Sequence, residues 1–103
     1  MVQKRTVIKA KNTLYFLDEP ENSLDVIFQQ KLATMIQNHV QHSNVQFIIA
    51  THSPFLLAMD GAKVIDLDSL PSVERQWYEL PNVVAYFVFF QKHADKFLMK
   101  NHE

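Results

Sequence analysis

Three ionisable residues stand where chemistry could be done: Asp18, Glu19 and His52. Asp18 and Glu19 follow the apolar run 14–17 and precede Pro20 in the stretch LYFLDEPENSLD. His52 follows a second apolar run, VQFIIA, in the tetrapeptide THSP. Adjacent residues on a strand point to opposite faces, so the two carboxylates cannot share one proton unless the strand ends there. At a strand end, where Pro20 turns the chain, both can reach one crevice in different roles. One can hold a hydrated Mg²⁺, an ion that prefers a carboxylate and several waters. The other can orient and polarise an attacking water. His52 could donate a hydrogen bond to a phosphate oxygen and help place that water. A plain acidic turn and a structural histidine beside a capping serine would use the same residues, so the elements that position them decide.

Those elements follow from apolar spacing. Residues 14–17 read as a strand buried on both faces. Asn22 or Ser23 is the expected N-cap of the next helix, with Asp25 in its first turn, where a negative charge suits the dipole. In that helix Leu24, Ile27, Phe28, Leu32, Met35, Ile36 and Val40 recur at three- and four-residue spacing. Gln29, Gln30, Lys31, Gln37 and Asn38 are expected on its other face. The helix should end near His42-Ser43-Asn44, and residues 45–50 read as a second strand. Ser53 is a natural N-cap with Pro54 at the first position of a short helix, closed by the Asp60-Gly61 turn. Residues 63–68 read as a third strand, and 74–80 as an edge strand. Pro81-Asn82 opens a helix over 81–100 whose apolar residues nearly encircle it, so it should be buried or sticky. Residues 1–12 are polar and basic, a helix end or a frayed tail.

Strand, helix, strand, short helix, strand, helix is the order of an α/β domain, and the expectation is a parallel sheet with right-handed crossovers in one domain over 1–103. Ligands of open parallel sheets sit outside the C-terminal ends of the strands. Two of the three expected strands end there in chemically capable residues.

Bulk composition narrows the classes. A chain of 103 residues with 48% hydrophobic and 20% charged residues is globular rather than disordered. A net charge of −1 offers no field for nucleic acid or an anionic membrane. The absence of cysteine removes disulfides and thiolate metal sites and fits a reducing, cytoplasmic setting. No apolar run reaches the ~20 residues of a membrane-spanning helix. Gly61 is the single glycine. Loops that wrap phosphates with backbone N–H groups need several.

Taken together, LYFLDEP resembles a Walker B motif, SLD (Ser23-Leu24-Asp25) resembles a D-loop, and IIATHSP (48–54) resembles a switch-histidine loop. They come in the order found in ABC- and SMC-like ATPases, and the chain is similar in particular to bacterial AAA-type, ABC-like ATPases over residues 12–91. The resemblance implies the C-terminal part of a P-loop NTPase domain. It implies that Asp18 binds Mg²⁺ through water, Glu19 acts as general base toward the water attacking the γ-phosphate of ATP, and His52 contacts that phosphate. It also implies that Ser23 and Asp25 face the opposite subunit of a nucleotide-sandwich dimer. Glu21 and Asn22 match the family sequence without a separate chemical role. Thr51 and Ser53 are expected to cap and pack.

The departures carry equal weight. A Walker A loop, G-x-x-x-x-G-K-[ST], cannot be built with one glycine, and the glycine-bearing signature motif is missing before residue 14. The expectation is therefore an incomplete site: Mg²⁺ and ATP as cofactors of the whole family domain, neither tightly bound by this chain. Loss of sheet neighbours leaves an edge and the 86–90 face seeking a homo-oligomer, the missing half or a full-length relative. Two other classes compete: a non-catalytic interaction module derived from such an ATPase, and a small metal-dependent hydrolase with Asp18, Glu19 and His52 as ligands. Nucleic acid enters by resemblance alone, and Lys4, Arg5, Lys9 and Lys11 read as a solvated face.

Overall fold

The computed structural model describes residues 13–101. The basic segment 1–12 lies outside the described residues. The chain divides into two compact units, one up to Ala62 and one from Lys63.

In the first unit, β1 (Thr13–Asp18) pairs in parallel with β2 (Val45–Ala50), in a register that sets Thr13 opposite Val45 and Asp18 opposite Ala50. The crossover between them is α1 (Val26–His42), and a one-turn 3-10 helix, Pro20–Ser23, precedes it. A parallel pair needs such a crossover, because a tight turn cannot return the chain to the same end. This is an α/β arrangement.

Asp25, rather than Asn22 or Ser23, caps α1: its Oδ1 accepts a hydrogen bond from the Phe28 backbone N–H at 2.9 Å. The earlier residues are consumed by the 3-10 turn, whose carbonyls take the N–H groups of Asn22 and Leu24. The core lies between α1, α2 (Pro54–Leu57) and one sheet face. Ala33, Ile36 and Leu56 are buried there, with Leu17, Leu32, Phe47, Ile49 and Met59 packed against them. Tyr15 stacks on Phe47 with centroids 4.9 Å apart, and His39 of α1 meets both rings edge-on.

Two expectations about burial change. The inward face of α1 runs through Gln29, Leu32, Ala33, Ile36 and Gln37, whereas Ile27, Phe28, Met35 and Val40 are exposed. Both faces of α1 carry apolar side chains, so periodicity alone does not choose between them. β1 is covered on one face only, and Phe16 on the other face is 70% exposed.

Ser53 is the N-cap of α2 and Pro54 opens it, as the spacing implies. Gly61, at φ 78°, closes the turn in which the Ala62 N–H donates to the Met59 carbonyl.

The second unit corrects the third strand. β3 (Val64–Asp66) pairs antiparallel with β4 (Val73–Arg75) in a sheet of its own. Asp66 makes the hairpin: its carboxylate accepts from the Asp68 N–H, the Ser69 hydroxyl and Arg75 Nε, all at 2.9–3.0 Å. The stretch expected as an edge strand is β4 followed by a 3-10 turn at Trp77–Glu79. The expected single helix is two, α3 (Pro81–Lys92) and α4 (Ala94–Asn101), broken at His93, whose N–H turns back to the Phe90 carbonyl. Phe90 and Phe97 meet edge-on across the break. Val83 is buried, while Tyr86, Phe87, Phe89 and Phe90 stay about half exposed.

Candidate functional site

The site is built where β1 and β2 end side by side. Parallel pairing brings both C-terminal ends to one edge, and the Glu19 N–H extends the ladder by donating to the Ala50 carbonyl at 2.6 Å. Asp18, the last residue of β1, is exposed, and by alternation it lies on the sheet face opposite Leu17, away from the core.

Glu19 then breaks the strand. Its backbone sits in the left-handed region, φ 48° and ψ 57°, the one such conformation outside glycine among the described residues. A residue with a Cβ adopts it at a cost of roughly 1–2 kcal/mol. The kink carries the Glu19 side chain toward the end of β2. There its Oε2 lies 3.6 Å from His52 Nδ1, and its Oε1 accepts from Asn22 Nδ2 at 3.0 Å. Asn22 thus orients Glu19, a role that sequence spacing did not disclose.

The Glu19–His52 contact is longer than a hydrogen bond, and both side chains are open to solvent, 39% and 67% exposed respectively. An exposed ion pair of this kind contributes about 0–1 kcal/mol. Its significance is geometric: a carboxylate and an imidazole share one solvent-facing crevice. Catalytic contacts commonly tighten only when a substrate is present.

A second carboxylate does the structural work. Glu21 accepts from the Thr51 hydroxyl at 2.6 Å through Oε1 and from the His52 backbone N–H at 3.0 Å through Oε2. Partial burial pushes its carboxyl up, but the hydrogen bonds from Thr51 and His52 outweigh this and hold it below its ordinary value of 4.5. The Thr51 hydroxyl in turn accepts from the Ser53 N–H at 3.0 Å. The Ser53 hydroxyl, only 3% exposed as a residue, donates to Gln29 Oε1 at 2.8 Å rather than capping α2. Gln29 Nε2 donates to the Leu24 carbonyl at 3.1 Å.

Glu21 and Gln29 are the residues that spacing missed. Glu21 reads as one more acid in an acidic turn, and Gln29 as a surface residue of α1. Their contacts span 24 to 31 positions of sequence, beyond any local pattern. Of the expected site residues, the structure brings Glu19 and His52 together and places Asp18 beside them in the chain. Ser23 closes the 3-10 turn, and Asp25 is engaged at the helix cap. Among the described residues, no three histidine, aspartate or glutamate side chains gather into a group that could hold a metal ion. Among the described residues, no helix is long and apolar enough to cross a membrane.

A comparison with known families matches residues 4–58 to the family described as "AAA domain, putative AbiEii toxin, Type IV TA system". No curated protein and no solved structure matches the chain. The matched stretch contains β1, α1, β2 and the Thr51-His52-Ser53 loop, more than half of the chain, and the protein belongs to this AAA family of P-loop ATPase-like domains.

Proposed function

We propose that this chain supplies the hydrolytic half of an ATPase site. Asp18 holds a hydrated Mg²⁺, Glu19 is the general base toward the water that attacks the γ-phosphate of ATP, and His52 contacts that phosphate. The observation that carries this reading is the meeting of Glu19 and His52 at the paired ends of two parallel strands, with the Glu19 backbone held in a costly conformation to achieve it. In the same reading LYFLDEP is the Walker B segment, SLD the D-loop and IIATHSP the switch-histidine loop of an ABC- or SMC-like, cytoplasmic ATPase. Ser23 and Asp25 face an opposite subunit. One Asp25 oxygen caps α1, which leaves the other for that contact.

The donor chemistry suits a magnesium ion held through water: one exposed carboxylate at a strand end. When bound, the ion would neutralise phosphate charge. The grip on the nucleotide is another matter. The single glycine sits in the turn after α2, so the sequence offers no glycine-rich loop of the kind that cradles phosphates. That part of the site comes from another segment or chain. A second copy or the half bearing the phosphate cradle is the partner we infer, and the exposed aromatic side chains of α3 are consistent with an interaction role beside the catalytic one. A place in a toxin–antitoxin pair is suggested by the family description alone.

Calorimetry tests the incomplete site. Mg-ATP titrated into the chain should give no saturable heat below about 1 mM, because the main phosphate contacts are missing. Micromolar binding that disappears in Asp18→Ala or Glu19→Gln would overturn the reading of a half-site.

A further inference from the structure

Resting on the reading of His52 as a phosphate-contacting group, we propose that Glu21 and Gln29 are its positioning residues. A hydrogen-bonded circuit from Glu21 through Thr51 and Ser53 to Gln29, and back to Leu24, makes the placement of His52 beside Glu19 depend on segment 20–25. The two oxygens of Glu21 are divided between adjacent donors, the Thr51 hydroxyl and the His52 N–H, so a single carboxylate sets both the position and the orientation of the loop. The Thr51 hydroxyl spends its proton on Glu21 and accepts from the Ser53 N–H. The Ser53 hydroxyl is buried and donates to Gln29, so Ser53 cannot shift without stranding a polar group. The Gln29 side-chain amide donates one N–H to the carbonyl of Leu24, the residue between Ser23 and Asp25. A movement of segment 20–25 is therefore felt at His52 through both ends of one loop, from Glu21 directly and from Leu24 by way of Gln29.

Glu19 gains from the same device. Its own tie to the 3-10 turn is the Asn22 amide, while its partner imidazole is held by a loop latched to Glu21 of that turn. Acid and imidazole are thus referenced to a single frame of four residues, Pro20–Ser23. A crevice built this way keeps its geometry without burying either group.

Nuclear magnetic resonance of the full chain, without nucleotide, tests the circuit. In the parent protein the His52 amide proton should follow a carboxylate titration, and Glu21→Gln should abolish that inflection. Asp18, Glu19 and His52, the other titratable groups at this junction, are unaltered in that variant, so the lost inflection belongs to Glu21. Glu21→Ala should speed hydrogen exchange of the His52 and Ser53 amides at least about tenfold, while that of Ile36 in the core stays within about twofold. Gln29→Leu, which touches no atom of His52, should still shift the His52 ring resonances. The proposal is overturned if the His52 amide ignores Glu21→Gln, if Gln29→Leu leaves the ring unmoved, or if Ile36 exchange accelerates as much as His52 exchange. Since no ATP is involved, the circuit can hold while the ATPase reading fails, and the two failures are told apart by the absence of hydrolysis in a completed site.

Discussion

Glu19 pays in backbone conformation for what its side chain does. In the left-handed region, glycine is at ease and every other residue is strained. Glu19→Gly and Glu19→Ala both lose the carboxylate and its contacts, and they differ only in the Cβ. The glycine variant should therefore be the more stable of the two by about 1 kcal/mol in urea unfolding. Equal stability, or a more stable alanine variant, would mean that the backbone there is not strained. Glu21 makes a different prediction. Its carboxyl is held below 4.5 in the folded chain, so its contribution is complete above that pH. Below it, the unfolded chain takes up the proton first, and stability falls until the folded carboxyl is protonated as well. Glu21→Gln should be less stable than the parent near neutral pH, and the gap should narrow as the pH falls below 4.5. A gap that persists in acid would assign the loss to shape rather than charge. Asp18, Glu19 and His52 stand out in the sequence because they lie just after apolar runs. Glu21 does not, because hydrogen bonds to residues thirty positions on leave no local mark.

Among the elements, the strands and α1 followed from their apolar runs, and the parallel pairing from the length of the crossover. Which side of α1 is buried did not. Ile27, Phe28, Met35 and Val40 offer as good a stripe as Leu32, Ala33 and Ile36, yet only the latter set meets the sheet. Ile36→Ala should cost about 2–4 kcal/mol, enough to threaten a unit this small. Ile27→Ala should change stability by less than about 0.5 kcal/mol. Thermal unfolding of the two variants separates the faces, and the reverse order would place the core on the wrong side of the helix. The hairpin β3–β4 was read as a third strand and a separate edge strand over 74–80, since three-residue strands carry too few positions to declare their pairing. What closes it is Asp66. The Asp68 N–H holds its carboxyl below the usual range against a smaller opposing effect of burial, with Arg75 and Ser69 adding to the hold.

Across the whole molecule, the sheet of the first unit is covered on one face, and α3 shows an aromatic face to solvent. Apolar surface of this kind marks an interaction site or an aggregation liability. The chain should associate at high concentration in light scattering, and Phe89→Glu should weaken that association. A parent protein that stays monomeric would remove the second-copy reading and leave the cradle-bearing half as the partner. In the proposed function the residues for hydrolysis are present and the phosphate grip is supplied from elsewhere. The most direct measurement grafts residues 13–101 onto the phosphate-cradling half of an ATPase of the same family and follows phosphate release. The graft should hydrolyse ATP, and Glu19→Gln should lower kcat by about 100-fold or more with KM little changed, as loss of a general base requires. A folded, ATP-binding graft with full activity in Glu19→Gln, or with none in the parent, would contradict it.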